Sequence, residues 1–319
     1  MKTLLYLFLL FTSLACQSNQ GQITASSKDF EKKLLPLYFG QDSTQKVAQA
    51  KAVESAIQQI RKSDLAADTK FELWYYLNQL TLSKDLATAA APHKIPSQHF
   101  ATFIPTDLQQ SLLKDLALAH FQKNYLHQII RTKVEGAQLA SLDETSLLFR
   151  ELMLYQFKPQ DRIGEIGAGD GGFSLLLQLL YGNSHHFINE IDSLNIRQIG
   201  WMLQLLPTDR QLPATILGSE VSSGMEGKQL DALIIRNTLH HFSKPDEMMQ
   251  SIKASLSQSG HLYLFEELAD PMTGFQHCEA SMSYEEVVTL LAIEGFELLQ
   301  KHTIGEEWRV LFVFGRKKS

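Results

Sequence analysis

The sequence predicts an α/β chain whose mixed, seven-stranded sheet ends in an antiparallel strand and is preceded by an all-α domain. Three observations predict it. From Gln41 to Glu135 there is no glycine, and glycine is the usual punctuation of strand-rich folds. Beyond Pro159, short apolar runs alternate with amphipathic stretches, the pattern of a parallel sheet covered on both faces. The last two apolar runs are separated only by Lys301–Glu307, too short for a crossover helix, so they should pair as a hairpin.

The helical half is assigned to residues 25–153. Val47, Ala50, Val53, Ile57 and Ile60 fall on one helical stripe, and Leu73, Leu77 and Leu80 on another. Pro92, Pro96 and Pro105 mark a connector. Thr106 with Gln109 and Ser141 with Glu144 read as capping boxes. The last helix carries Leu148, Leu152 and Tyr155 on one face and should stop at Lys158-Pro159.

The second domain, 154–319, opens with the strand Arg162–Ile166. Further strands are expected at Phe187–Ile191, Ala214–Leu217, Leu230–Ile235, Leu262–Phe265, Phe296–Gln300 and Val310–Phe314. Between the first two, Phe173, Leu176, Leu177 and Leu180 keep the helical spacing i, i+3, i+4, i+7.

The turn out of the first strand carries the chemistry: Glu165-Ile166-Gly167-Ala168-Gly169-Asp170-Gly171-Gly172. Glycines at such a turn let a ligand approach the backbone. The helix N-terminus behind them offers free N–H groups and partial positive charge. Gly167, Gly169 and Gly172 also satisfy G-x-G-x-x-G, and Glu190 follows about twenty residues later, which fits a nicotinamide dinucleotide. Glu165 favours a different ligand. A carboxylate two residues before the first glycine repels a pyrophosphate but suits the ammonium of an amino acid.

Glu165, Gly167, Gly169 and Gly171 reproduce an E-x-G-x-G-x-G motif, and this part of the chain resembles the class I S-adenosylmethionine-dependent methyltransferases. The resemblance extends to Asn189-Glu190-Ile191-Asp192, to Leu239-His240-His241-Phe242, to Ser259-Gly260-His261-Leu262 and to the closing hairpin. It implies a Rossmann-like fold, S-adenosyl-L-methionine as cofactor and methyl transfer to a small-molecule acceptor. In that reading Gly167, Gly169 and Gly171 bring the backbone against the methionine part of the cofactor, and Glu165 receives its ammonium group. Glu190 accepts from the ribose hydroxyls, with Asp192 as competitor, and Ile191 packs on the adenine. Ser219 and Glu220 either meet the adenine edge or are solvated loop. Asn237 ends the fourth strand beside the sulfonium site. His240 and His241 are candidate general bases and His277 a weaker one; the alternative is that one of the pair caps or packs the following helix and the other lines a pocket without proton transfer.

Composition bounds the alternatives. Net charge is −6, or −7 once Lys2 is removed, which weighs against a phosphate-dominated nucleic-acid partner. No Cys/His cluster has metal-ligand spacing along the chain and no G-x-S-x-G elbow occurs, so no metal is expected. Residues 1–16 read as a leader: Lys2, an apolar run Leu4–Leu14, then Ala15-Cys16 and an abruptly polar stretch. The run is too short to span a bilayer stably. Ser13-Leu14-Ala15-Cys16 resembles a bacterial lipobox with a departure at Ser13, implying membrane attachment through lipidated Cys16. An unlipidated signal or uncleaved anchor at the cytoplasmic face is the alternative. With Cys16 in a leader, Cys278 is the single thiol and no intrachain disulfide forms. Two further readings remain at this stage: a membrane-tethered, non-catalytic binding protein that retains the fold, and an NAD-dependent oxidoreductase.

Overall fold

The computed structural model describes residues 27–38, 54–67, 120–133, 139–182, 185–207, 211–269 and 278–317, with isolated positions at 70, 114, 117 and 118. The leader, Val47, Ala50 and Val53 of the first stripe, the stripe through Leu73, the proline connector, the Thr106 box and His277 lie outside the described residues, whereas Ile57 and Ile60 of the first stripe are buried on the helix at 54–62.

Seven strands form the sheet: β3 (Arg162–Ile166), β4 (His185–Glu190), β5 (Ala214–Leu217), β6 (Leu230–Arg236), β7 (Leu256–Glu267), β8 (Phe296–Ile304) and β9 (Glu306–Arg316). Their order is β5-β4-β3-β6-β7-β9-β8. The first five run parallel, and β9 lies antiparallel between β7 and β8. All seven expected strands are present. The hairpin forms because Gly305, at φ +80°, closes it with one residue between the strands.

Alternate side chains of each strand feed two cores. Ile163, Ile188, Ile234 and Phe265 pack on the face covered by α2 (Gly172–Tyr181) and α3 (Ser193–Leu203). Ile166, Leu233, Ile235 and Leu264 pack on the face covered by α4 (Pro245–Ser255) and α5 (Tyr284–Ile293). The stripe expected on α2 is the whole helix, since residues 172–180 are all buried. Helix 27–38 contributes Phe30 and Leu34 to the same core, and residues 120–129 add Phe121, Leu126 and Ile129. A helix covered on both sides is apolar all round.

The region before the sheet is not wholly helical. β1 (Ile130–Lys133) and β2 (Leu139–Leu142) pair antiparallel. The capping box expected at Ser141 and Glu144 is therefore displaced. Ser141 lies in β2, and helix α1 (Leu147–Leu152) is capped by Ser146, whose Oγ accepts from the Phe149 N–H at 3.0 Å. Tyr155 lies beyond the end of α1 and is fully buried, its ring tilted against Phe157 and Tyr263 and edge-on to Phe173.

Register then positions the site. Ile166, at the end of β3, lies opposite Asn189 of β4 and Ile235 of β6. The chain order reverses between β3 and β6, so a crevice opens there at the carboxyl ends of the strands.

Candidate active site

The loop after β3 is held from β4. The Gly167 and Ala168 N–H groups both donate to the Asn189 carbonyl at 3.1 Å. The Gly169 N–H donates to Glu190 Oε2 at 2.8 Å, while Glu190 Oε1 accepts from the N–H groups of Ile191 at 2.8 Å and Asp192 at 3.1 Å. Gly167, Gly169 and Gly171 have φ of +69°, +57° and +79°. An added Cβ at Gly167 would meet Thr238 and one at Gly171 would meet Ile199, but one at Gly169 meets nothing within 4 Å. Gly169 therefore faces open space.

Beside the loop lies a cavity of about 380 Å³ whose wall includes Gly167, Glu190, Ile191, Ser219, Glu220, Thr238, His241 and Phe242, within the usual range of small-ligand sites. Glu190 and Ile191, expected as ribose acceptor and adenine contact, both line this wall. Ile191 is 57% exposed, unusual for a large aliphatic residue. Ser219 and Glu220 line the wall as well. Asp192 does not, since it caps α3 by accepting from the Leu194 N–H at 2.7 Å. A carboxylate offers about four lone-pair sites, and Glu190 has three of them on backbone amides. It retains roughly one for a ligand, fewer than two ribose hydroxyls ask for.

Three candidates are placed differently from expectation. Glu165 is 2% exposed and lies under the loop, on the α2 side. Its Oε2 accepts from Ser174 Oγ at 2.6 Å and lies 3.5 Å from His186 Nε2, so it braces β3 against α2 and β4. Side chains alternate across a strand, which puts Glu165 on the face of Ile163 and away from the cavity wall. Asn237, at φ +48°, does not line the wall; its Oδ1 accepts from the Glu267 N–H at 3.1 Å and its own N–H donates to the Phe265 carbonyl at 2.8 Å. The adjacent Thr238 faces the cavity instead. Of the two histidines, His241 is on the wall. The His240 side chain is wholly buried behind it, with Nδ1 2.6 Å from Glu266 Oε2.

Sequence reasoning missed the clasp over the loop. Asp170 accepts from Tyr125 Oη at 2.6 Å and from the Gly172 N–H at 2.8 Å, and lies 2.6 Å from His120 Nε2. Burial raises the Asp170 carboxyl, but the hydrogen bonds from His120, Tyr125 and Gly172 outweigh it and hold the group below the usual carboxylate range. Burial, then the Asp170 charge, push the Tyr125 phenol well above its ordinary value. Tyr125 sits in a π-helical turn, Gln122–Leu126, and its ring is so close to Gly172 that any Cβ there would overlap it. Behind the clasp, Arg236 at the end of β6 makes a bidentate pair with buried Glu151 of α1, at 2.7 and 3.0 Å. Burial opposes the guanidinium charge and Glu151 more than restores it. Neither partner announces the other in sequence, because 85 residues separate them.

No family model and no curated protein matches the chain. Among solved structures it is similar to a SAM-dependent methyltransferase from Aquifex aeolicus, at 14% identity over 52% of this chain and 87% of that one, with a TM-score of 0.46. It is similar at the same identity and TM-score to the glycopeptide N-methyltransferase MtfA complexed with S-adenosyl-L-methionine, over 55% of this chain and 94% of that one. A third likeness is to the YcgJ protein from Bacillus subtilis, at 13% identity over 54% of this chain and 98% of that one, TM-score 0.43. The strand order and the reversed β9 define the fold independently of these likenesses.

Proposed function

We propose that the chain is a methyltransferase using S-adenosyl-L-methionine and a small-molecule acceptor. One observation carries the reading. Gly167, in a left-handed conformation, lines one cavity together with Glu190 and the exposed Ile191, and Gly169 two residues on meets nothing within 4 Å. The residues fit such a cofactor: Glu190 would hold the ribose, Ile191 the adenine, and the glycine backbone the methionine moiety. Bound there, the cofactor supplies a methyl group already activated on a cationic sulfur.

The chain's own contribution is positioning and exclusion of water. Gly167 and Thr238 form the floor between β3 and β6, and Phe242 narrows the acceptor side. His241 stands on that wall and would take a proton where the acceptor must lose one; His240 is held behind it by Glu266. Against a nicotinamide oxidoreductase stands the sheet itself. The six-stranded dinucleotide fold is parallel throughout, whereas here β9 is reversed and inserted between β7 and β8.

The test is calorimetric titration of the chain with S-adenosylmethionine, S-adenosylhomocysteine and NAD. Saturable binding of the first two and none of NAD is expected. Binding of NAD alone would replace the reading with the oxidoreductase.

The membrane tether belongs to the same proposal and rests on the leader Leu4–Cys16 alone. No helix among the described residues is long and apolar enough to cross a membrane.

A further inference from the structure

Linear spacing separates His240 and His241 from Cys278, yet the fold brings their ligand atoms within 4.8 Å of one another. We propose that His240, His241 and Cys278 form a zinc-type metal site with one coordination position turned toward the cavity. The two histidines occupy a short 3-10 turn, Leu239–His241, at the end of β6. Cys278 opens the turn that leads into α5, its N–H donating to Ser281 Oγ at 3.0 Å.

The surroundings are those of a ligand set. Glu266 is almost wholly buried, and its two oxygens accept from the Leu239 N–H at 3.0 Å and meet His240 Nδ1 at 2.6 Å. A carboxylate on Nδ1 keeps the proton there and leaves Nε2 as the coordinating nitrogen, the usual outer support of a metal-bound histidine. The Ser281 hydroxyl points at Cys278 Sγ from 3.9 Å, within the reach of a hydrogen bond to sulfur. A hydrogen bond to the sulfur would be part of the outer support of a coordinated ligand.

Two imidazoles and one thiolate suit a borderline-soft divalent ion in tetrahedral geometry. With bonds of about 2.0–2.1 Å to nitrogen and about 2.3 Å to sulfur, the tetrahedral edges are about 3.3–3.6 Å. The donors therefore have to close by about 1 Å, a movement that solvent-exposed His241 and half-buried Cys278 can supply. Three protein ligands leave a fourth position, the arrangement of catalytic rather than structural zinc sites. His241 also lines the cavity, so that position is open to water or to a ligand bound there. On binding, the Cys278 thiol releases its proton to solvent, and the His240 proton stays on Nδ1 against Glu266. A His241 that holds the metal cannot also take a proton from an acceptor, so the metal site replaces that role of His241 and otherwise stands on these residues whatever fills the rest of the cavity.

The experiment uses the untagged full chain carrying Cys16→Ser, so that Cys278 is its single thiol. Cobalt(II) is titrated in and the sulfur-to-cobalt charge-transfer absorption is followed. One equivalent should produce the band and zinc should abolish it. Cys278→Ser should remove the band, and Glu266→Gln should weaken cobalt binding about 10–100-fold. His241→Gln, at an exposed position where folding is not at stake, should weaken it by at least as much. Circular dichroism establishes that each variant is folded. A folded parent chain without the band, or a band that survives Cys278→Ser, would overturn the proposal, as would His241→Gln binding cobalt like its parent.

Discussion

Gly169 and Gly171 lie two residues apart in one loop, both left-handed, and meet different surroundings. A valine at Gly169 meets no neighbour within 4 Å at its Cβ and costs about 1–3 kcal/mol of backbone strain; a valine at Gly171 meets that cost and also collides with Ile199. We predict that Gly169→Val loses S-adenosylhomocysteine binding while keeping a cooperative thermal transition. Gly171→Val should lower the transition temperature further. Calorimetry beside thermal unfolding reads both, and unchanged affinity in Gly169→Val would remove the site. Glu190 makes a second contrast. Its three amide contacts exhaust the single acceptor oxygen of a glutamine, so Glu190→Gln should weaken cofactor binding by about 1–3 kcal/mol. Asp192→Asn keeps a capping side chain and should leave affinity nearly unchanged. A larger effect from Asp192 would reverse the ribose assignment. Glu190 was legible because its distance from the glycine loop is fixed by one helix and one strand. Glu266, Tyr125 and Cys278 were not, since each reaches the site from a distant segment and no local pattern marks it.

At the scale of elements, the clasp joins residues 120–129 to the turn between β3 and α2. Asp170 titrates below the usual carboxylate value of about 3.9. Its contribution to stability is therefore fully present above that pH and is lost as pH falls through the lower, folded-state value. Asp170→Asn should destabilise the chain at neutral pH and flatten the acid limb of a stability-against-pH curve. Tyr125→Phe removes one hydrogen bond to a charged group and should cost about 1.5–3 kcal/mol. Urea unfolding from pH 3 to 7 measures both; an acid limb unchanged in Asp170→Asn would show that the clasp carries no stability. Strand starts were legible where apolar runs begin, as at Arg162, Ala214 and Leu230. Strand ends were less so: β8 continues through Lys301, His302 and Thr303 because pairing with β9, not side-chain burial, holds it there. The sequence points to a cap at Ser141 because Glu144 stands three residues on, the spacing of a capping box, whereas Ser146 has Phe149 at that place. Only tertiary pairing assigns Ser141 to β2.

Across the whole molecule, the chain is acidic, and the proposal for its first sixteen residues is a lipoprotein leader. The expected mature N-terminus is a lipidated Cys16, and multiple acyl chains would hold it firmly where one would not. Mass spectrometry of the N-terminal peptide from the native host checks this. Intact Met1 with unmodified Cys16 would contradict the lipoprotein leader and favour the cytoplasmic face, where the proposed cofactor is made. Neither outcome alters the cavity between β3, β4 and β6, on which the functional reading rests. The most direct measurement is a crystal structure of the chain with S-adenosylhomocysteine. The account predicts the adenosine between Glu190 and Ile191, a ribose hydroxyl on the Glu190 carboxylate, and the homocysteine chain along Gly167–Gly169. Ligand bound elsewhere, or a cavity that stays empty at saturating ligand, would contradict it.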